Sequence, residues 1–176
     1  CTSTVSWDYV PIANNNSVEF RLLDNTPRFI KLLSNQTIIS QADVDWITAH
    51  FNTALDMQNA VKSRRFSLAY NVAYSWNHTS DYRMALASLW CGLDALFGCR
   101  NDRPITGKLL QRICVWQPSF EYDALKTLYD LRSDAIHGRY FDKDAIIVGV
   151  NKSYDVLKHS LIKCIETGTA PLPDWE

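Results

Sequence analysis

The sequence predicts an all-α fold, an antiparallel helical bundle of about five to six helices that follows a short irregular or β-containing segment. Apolar residues recur at helical spacing from residue 39 to about residue 170, which is typical of amphipathic helices. Short polar stretches separate these segments, as in bundles whose consecutive helices are antiparallel. With 176 residues and 47% hydrophobic content, the chain is long enough for one well-packed domain.

The first 38 residues have a different composition from the rest of the chain. They combine Pro11, Pro27 and an Asn14-Asn15-Asn16 run with the β-prone pieces VSWDYVPI and SVEFRLL. Turn-forming residues beside β-branched and aromatic residues predict short strands or irregular structure. We therefore assign residues 1–38 to an N-terminal extension or the tail of an upstream domain, and residues 39–170 to the bundle.

The first three helices are predicted from their caps and apolar stripes. Ser40 can cap a first helix that carries Asp43 in its first turn, where a negative charge is favourable. A second helix is predicted at about 62–77. The third follows Asp81 and ends at Gly98, because glycine commonly terminates helices. Its predicted core face consists of Leu86, Leu89, Trp90, Leu93 and Phe97.

Proline and glycine positions mark the remaining three helices. Pro104 opens a shorter helix through about Val115, which Pro118 closes. A fifth helix is predicted at about 120–137, and a last one runs from about 143 to 166 with Gly168 as its stop. The positions predicted to face inward on the last helix are Val150, Tyr154, Leu157, Leu161 and Cys164.

Charge and cysteine content exclude several classes of protein. The 18 Lys and Arg against 19 Asp and Glu give a net charge of -1, so a nucleic-acid site would need a local basic patch. The five cysteines contain no CxxC pair, which argues against a disulfide framework or a thiolate zinc site and favours a reduced, cytoplasmic protein. The sequence shows neither a convincing metal-ligand cluster nor an apolar run long enough for a membrane span.

The fifth helix carries an arginine on its core-facing stripe. In LYDLRSDAIHGRY, residues 128–140, Arg132 lies on the stripe formed by Leu125, Leu128, Tyr129, Ala135 and Ile136. A charge at such a position costs free energy unless it is paired or functional. His137 follows five residues later, about 140° around the helix and roughly 7.5 Å along it, so the two residues do not share a face. Ser133 and Asp134 are spaced to hydrogen-bond the imidazole.

The segment R-S-D-A-I-H resembles the R-x4-6-H motif of the HEPN superfamily, and LYDLRSDAIHG is most similar to the Apea-like branch of that superfamily. Two further segments agree with the resemblance. ALASLWCGLDALFG resembles the family helix that carries an acidic residue, here Asp94, and ITGKLLQRICVW resembles the intervening helix. The likeness covers about residues 40–168. Family members often carry Asn, Asp or His after the arginine, where this chain has Ser133.

The resemblance implies a metal-independent, cofactor-free ribonuclease that works as a homodimer, with the motif helices of two subunits meeting across a cleft. His137 would act as general base or acid on the ribose 2′-hydroxyl and the leaving oxygen, and Arg132 would hold the scissile phosphate. Ser133 would orient His137 or contact phosphate, with Asp134 and Asp94 in supporting positions. The expected RNA-binding residues are Arg103, Lys108, Arg112 and Arg139.

The resemblance further implies an effector in a defence or toxin system, with RNA as substrate and an upstream sensor domain or a nucleotidyltransferase as further partner. An alternative interpretation is a non-enzymatic dimerisation or nucleotide-binding module of a larger protein. In that interpretation Arg132 pairs with Asp94 and holds two helices together. His137 would then be a helix-terminal residue favoured by the helix dipole, and the basic residues a solvated surface.

Overall fold

In the part of the chain that the structure describes, two short strands precede six α-helices. The structure is a computed structural model that describes residues 7–11, 18–22, 39–59, 64–79, 81–98, 105–139 and 142–171. The strands are β1, Trp7–Pro11, and β2, Val18–Leu22, and they pair antiparallel. The helices are α1, Gln41–Asn59; α2, Arg64–Ser75; α3, Tyr82–Phe97; α4, Ile105–Trp116; α5, Tyr122–Ile136; and α6, Lys143–Thr167. The all-α helical fold is thereby confirmed, and the two strands lie in the segment predicted to be irregular or β-containing.

Side-chain caps start three of the helices where the sequence predicts. The Ser40 hydroxyl accepts a hydrogen bond from the Asp43 N–H at 3.2 Å, and the Asp43 carboxylate accepts one from the Ser40 N–H at 2.8 Å. The Ser40 hydroxyl also donates to the Asp43 carboxylate at 2.6 Å, and this bond, together with the one from the Ser40 N–H, lowers the pKa of Asp43. Asp81 caps α3 and Asp142 caps α6 in the same way, by accepting from backbone N–H groups. Each cap satisfies donors that a helix start leaves unpaired.

Contacts between α3 and α6 show that these two helices run in the same direction. The Trp90 Nε1–H donates to the Ser153 hydroxyl at 3.1 Å. Two residues further along α3 and four further along α6, a Cβ on Gly92 would lie 3.0 Å from Leu157 Cδ2. Positions on α3 and α6 therefore increase together along their contact.

The helices α2 and α5 run opposite to α6. The Trp76 ring, in the 3-10 turn after α2, lies 5.1 Å from the Tyr154 ring, whereas Tyr70 lines the same cavity as Ile165. On α5, a Cβ on Gly149 would meet Leu131 at 2.5 Å, while Tyr129, nearer the start of α5, packs edge-on against Trp90 at 5.2 Å. The order α2, α3, α5, α6 therefore alternates in direction, which confirms the antiparallel bundle.

These directions place the start of α3, the end of α5 and the start of α6 together, and we call this end, residues 82–86, 131–139 and 143–149, the motif end. The C-terminus of α3 and the helix α4 lie toward the opposite end. The core runs between them, and its largest fully buried residues are Trp90, Phe66, Phe97, Leu86, Leu89, Leu93, Leu96, Leu109, Leu110, Ile113, Leu125 and Ile146.

The predicted core faces of α3 and α6 are confirmed, with one correction on α5. All five residues predicted on the α3 face are buried, and Tyr154 is the one predicted α6 residue that is only partly buried. Ile136, predicted on the α5 stripe, is 43% exposed. It is the last residue of α5, directly before the exposed C-cap residue His137.

Candidate functional site

The helix α5 ends in a glycine-stabilised turn that places His137 at its C-cap. Gly138 has a φ of +68°, a left-handed conformation that glycine adopts without steric cost. The Gly138 N–H donates to the Ala135 carbonyl at 3.3 Å and the Arg139 N–H to the Asp134 carbonyl at 2.9 Å. This pair of bonds is the Schellman motif. It fixes the backbone of His137 at the exposed end of the helix.

The Arg132 side chain turns away from that end and toward the start of α5. Its guanidinium carbon lies 5.6 Å from the centre of the Tyr129 ring, one helical turn earlier. Tyr129 in turn packs at 87° against the buried indole of Trp90. A cation over an aromatic face is attracted by about 0.5–2 kcal/mol, depending on desolvation. Tyr129 was not predicted as a partner of Arg132, although the three-residue spacing was a signal for this contact.

One nitrogen of Arg132 is buried without a hydrogen-bond partner. Among the described residues, the Arg132 Nε has no acceptor and almost no exposure to solvent. A buried donor left unpaired costs about 1–3 kcal/mol. This cost marks Arg132 as a residue whose position is not explained by stability alone.

Asp94 attracts Arg132 without touching it. Burial raises the pKa of the Asp94 carboxyl, and the charge of Arg132 offsets part of that rise. Within the described part of the chain the two side chains form no ion pair. The alternative interpretation predicts an ion pair between Arg132 and Asp94 at a helix contact. The described residues show only a longer-range attraction between the two charges.

The polar residues between Arg132 and His137 do not hold the imidazole. The Asp134 carboxylate lies 3.9 Å from the Arg139 guanidinium, and the Ser133 carbonyl accepts the backbone N–H of His137 at 3.1 Å. The His137 ring has no hydrogen-bond partner among the described residues, and it is exposed. Its ring is therefore accessible to solvent or a ligand, but Arg132 and His137 do not converge within one subunit.

The basic residues expected to bind RNA fall at opposite ends of the bundle. Arg112 donates to the Phe97 and Gly98 carbonyls at 2.9 and 3.3 Å, so it caps the C-terminus of α3. Lys108 and Arg112 line one cavity of about 470 Å³ near that terminus. Arg139, 70% exposed, lies at the motif end. Arg103 lies outside the described residues.

Burial accounts for Cys164, and hydrogen bonding accounts for two of the remaining histidines. Burial raises the pKa of the Cys164 thiol to about 12, so this cysteine is an unreactive core residue, as predicted. His50 and His159 each bond through Nδ1 to the carbonyl four residues earlier. No group of three or more metal-ligating side chains occurs in the described ranges.

None of the helices that the structure describes is both long enough and apolar enough to cross a membrane. Comparison of the chain with family models, with curated proteins and with solved structures finds no match. The sequence motif and the geometry around Arg132 and His137 therefore carry the functional argument.

Proposed function

We propose that this chain is a HEPN-type domain that binds RNA and cleaves it without a metal ion, as a homodimer. The observation that carries the proposal is the arrangement at the end of α5. His137 is an exposed imidazole without a partner among the described residues, fixed at a helix terminus by Gly138. Arg132, on the same helix, has a buried nitrogen with no acceptor in that part of the chain. His137 is available for proton transfer to a ligand, and the positive charge of Arg132 on the same helix favours an anionic ligand.

The chemistry that these two residues can support is transesterification at the ribose 2′-hydroxyl. His137 removes the proton from the 2′-oxygen, which attacks the neighbouring phosphorus while the bond from phosphorus to the 5′-oxygen breaks. The leaving 5′-oxygen takes a proton from the second copy's His137, which starts the step as the protonated imidazolium and ends it neutral. Arg132 stabilises the charge that develops on the phosphate oxygens. The products carry a 2′,3′-cyclic phosphate and a 5′-hydroxyl.

A second copy is required because Arg132 and His137 point in different directions within one subunit. Three large apolar residues are more than 40% exposed at the motif end: Met84 on α3, Ile136 on α5 and Val148 on α6. Apolar residues exposed at one end of a bundle favour contact with a partner. A dimer through this end brings two copies of the motif together and explains why these residues are not buried in the monomer.

The state of assembly is tested first. Ile136→Asp places a charge in the proposed contact, so the chain should be a dimer in light scattering at micromolar concentration and the variant a monomer. Val115→Asp is the matched control, because Val115 is 82% exposed on α4 toward the other end. A monomeric wild-type chain well above that range would contradict the proposed dimer.

The chemistry is tested on RNA in the presence of EDTA. Cleavage should persist, leave 2′,3′-cyclic phosphate ends in mass spectrometry, and fail on DNA and on RNA with methylated 2′-oxygens. His137→Ala should abolish it, whereas His78→Ala, which removes another exposed histidine, should not. Products with 3′-hydroxyl ends, or activity that appears only with Mg²⁺, would refute the mechanism.

The orientation of Arg132 toward Tyr129 favours a second candidate function. A guanidinium that lies over the Tyr129 ring and is attracted by Asp94 can stabilise the packing of the bundle without taking part in catalysis. The chain would then be a non-enzymatic dimerisation or nucleotide-binding module of a larger protein. Uncleaved RNA together with an intact dimer in the two experiments above selects this candidate. In either case a place in a defence or toxin system, with an upstream sensor domain or a nucleotidyltransferase partner, stays a proposal.

A further inference from the structure

The helix α1 has apolar residues both on the side that packs against the bundle and on a side that the bundle does not cover. Trp46, Ala54 and Met57 pack against the core. A second row of apolar residues is 44–60% exposed, and we call it the α1 stripe: Val44, Ile47, Phe51 and Leu55. At 100° per residue the centre of the α1 stripe lies about 120° around the helix from the packed face. The stripe is therefore a continuous apolar row that the bundle leaves open.

The hairpin formed by β1 and β2 is amphipathic in its register. Trp7 is opposite Leu22 and Tyr9 is opposite Phe20, whereas Asp8 is opposite Arg21. Because alternate strand positions belong to opposite faces, the register separates the residues into an apolar and a largely polar face. The apolar face consists of Trp7, Tyr9, Pro11, Val18, Phe20 and Leu22.

A two-stranded hairpin needs a partner for such a face. Isolated hairpins are marginally stable in water, and packing against a helix is one way to stabilise them. The lengths agree, because the α1 stripe from Val44 to Leu55 extends about 17 Å along the helix and a five-residue strand about 17 Å. The charged residues Asp8, Glu19 and Arg21 would remain on the opposite face, toward water.

The connection between the two elements allows them to meet within one chain. The 16 residues between the two elements, 23–38, can span up to about 50 Å when extended. A covalent connection of this length keeps the two elements at an effective concentration in the millimolar range. Contact within one chain is therefore favoured over contact between copies at micromolar concentration.

We propose that the apolar face of the β1–β2 hairpin docks on the α1 stripe of the same chain. The hairpin then covers the exposed side of the first helix of the bundle. The docked surface lies on α1 and does not involve Arg132 or His137. The proposal is thus independent of the proposed ribonuclease activity.

Hydrogen exchange of the full chain, followed by mass spectrometry, tests this docking. Phe51→Asp places a charge in the centre of the α1 stripe and should accelerate exchange of the hairpin amides, residues 7–11 and 18–22, by about tenfold or more. Val115→Asp is the control, since it makes the same change at an exposed valine of α4. The reciprocal variant Phe20→Asp leaves the bundle sequence intact and should accelerate exchange of the α1 amides.

Three results would overturn the proposal. Hairpin amides that exchange equally fast in the wild-type chain and in Phe51→Asp would show that α1 is not their partner. An equal effect of Val115→Asp would point to general destabilisation. Protection that disappears when the wild-type chain is diluted to nanomolar concentration would assign the α1 stripe to a second copy. Protection that is independent of concentration and lost only in Phe51→Asp and Phe20→Asp supports docking within the chain.

Discussion

The interior between α3 and α6 differs from α5 in whether buried polar groups have hydrogen-bond partners. In the interior, the buried Trp90 indole donates to the buried Ser153 hydroxyl at 3.1 Å, and the Ser160 hydroxyl donates to the Val156 carbonyl at 2.8 Å. On α5, a nitrogen of Arg132 is buried without an acceptor among the described residues. The first region satisfies its polar atoms and the second does not.

This difference separates residues that stabilise the fold from candidates for function. Satisfied buried groups contribute to stability, whereas an unsatisfied buried donor lowers it by about 1–3 kcal/mol. A chain can retain such a cost where the group binds a ligand. Variants of the interior should therefore lose stability, and variants at the end of α5 should lose function with the fold intact.

The largest loss of stability is expected for Trp90→Ala. Trp90 is fully buried, and its truncation removes packing against both Tyr129 and α6, so it should cost about 3–5 kcal/mol. This is a large part of the 5–15 kcal/mol that stabilises a typical domain. Urea unfolding followed by circular dichroism measures the loss. A cost below about 1 kcal/mol would show that the interior is not the main source of stability.

A smaller loss is expected for Arg112→Met, and almost none for Arg139→Met. Arg112 bonds to two carbonyls at the end of α3, and charged hydrogen bonds contribute about 1.5–3 kcal/mol when they are buried and less when partly exposed. Arg139 is 70% exposed and 3.9 Å from its partner, so its ion pair contributes little. Thermal unfolding compares the two variants, and filter binding measures their affinity for RNA. Of the two variants, only Arg139→Met should weaken RNA binding without loss of stability. Equal melting temperatures of Arg112→Met and Arg139→Met would contradict the assignment of Arg112 as a helix cap.

Asp94→Asn should flatten the dependence of stability on pH. Burial raises the pKa of Asp94 in the folded chain, so the folded state binds this proton more tightly than the unfolded state. The contribution is fully present below the unfolded pKa, about 4, and is lost as the pH rises through the raised folded pKa. The variant has no carboxyl at this position, so it should not lose this stability as the pH rises. It should be at least as stable as the wild type at pH 7.

Urea midpoints between pH 4 and pH 7 measure the effect, with Asp56→Asn as a control at an exposed carboxylate of α1. A marked loss of stability in Asp94→Asn at pH 7 would show that the attraction to Arg132 outweighs burial.

The smallest change in stability is expected for His137→Ala. His137 is exposed at the C-cap of α5, where its ring makes no hydrogen bond to the described residues. Such surface substitutions change stability by about 0.5 kcal/mol or less. Differential scanning calorimetry should therefore give nearly the same melting temperature as the wild type, while cleavage of RNA is lost. If His137→Ala unfolds, His137 is required for stability, and its role no longer differs from that of Trp90.

Much of the helical fold was predictable from local sequence signals. Asp81, Asp142 and Gly168 mark helix ends by chemistry that acts within a few residues, and the predicted faces of α3 and α6 are buried. The α1 stripe was different, since its apolar spacing is as regular as that of α3 and yet its residues are exposed. Periodicity shows that a face is apolar, whereas the neighbouring helices decide whether it is covered.

The features of the candidate site also separate into those that the local sequence determines and those that tertiary packing determines. The sequence by itself determined where α5 ends, that Arg132 lies on its inner side and that His137 precedes a left-handed glycine, because spacing and backbone preference act locally. Only the tertiary structure decided that Asp94 attracts Arg132 and that Arg112 caps α3, toward the opposite end of the bundle from Arg139. A long side chain has many rotamers of similar energy, and the packing of neighbouring helices selects among them.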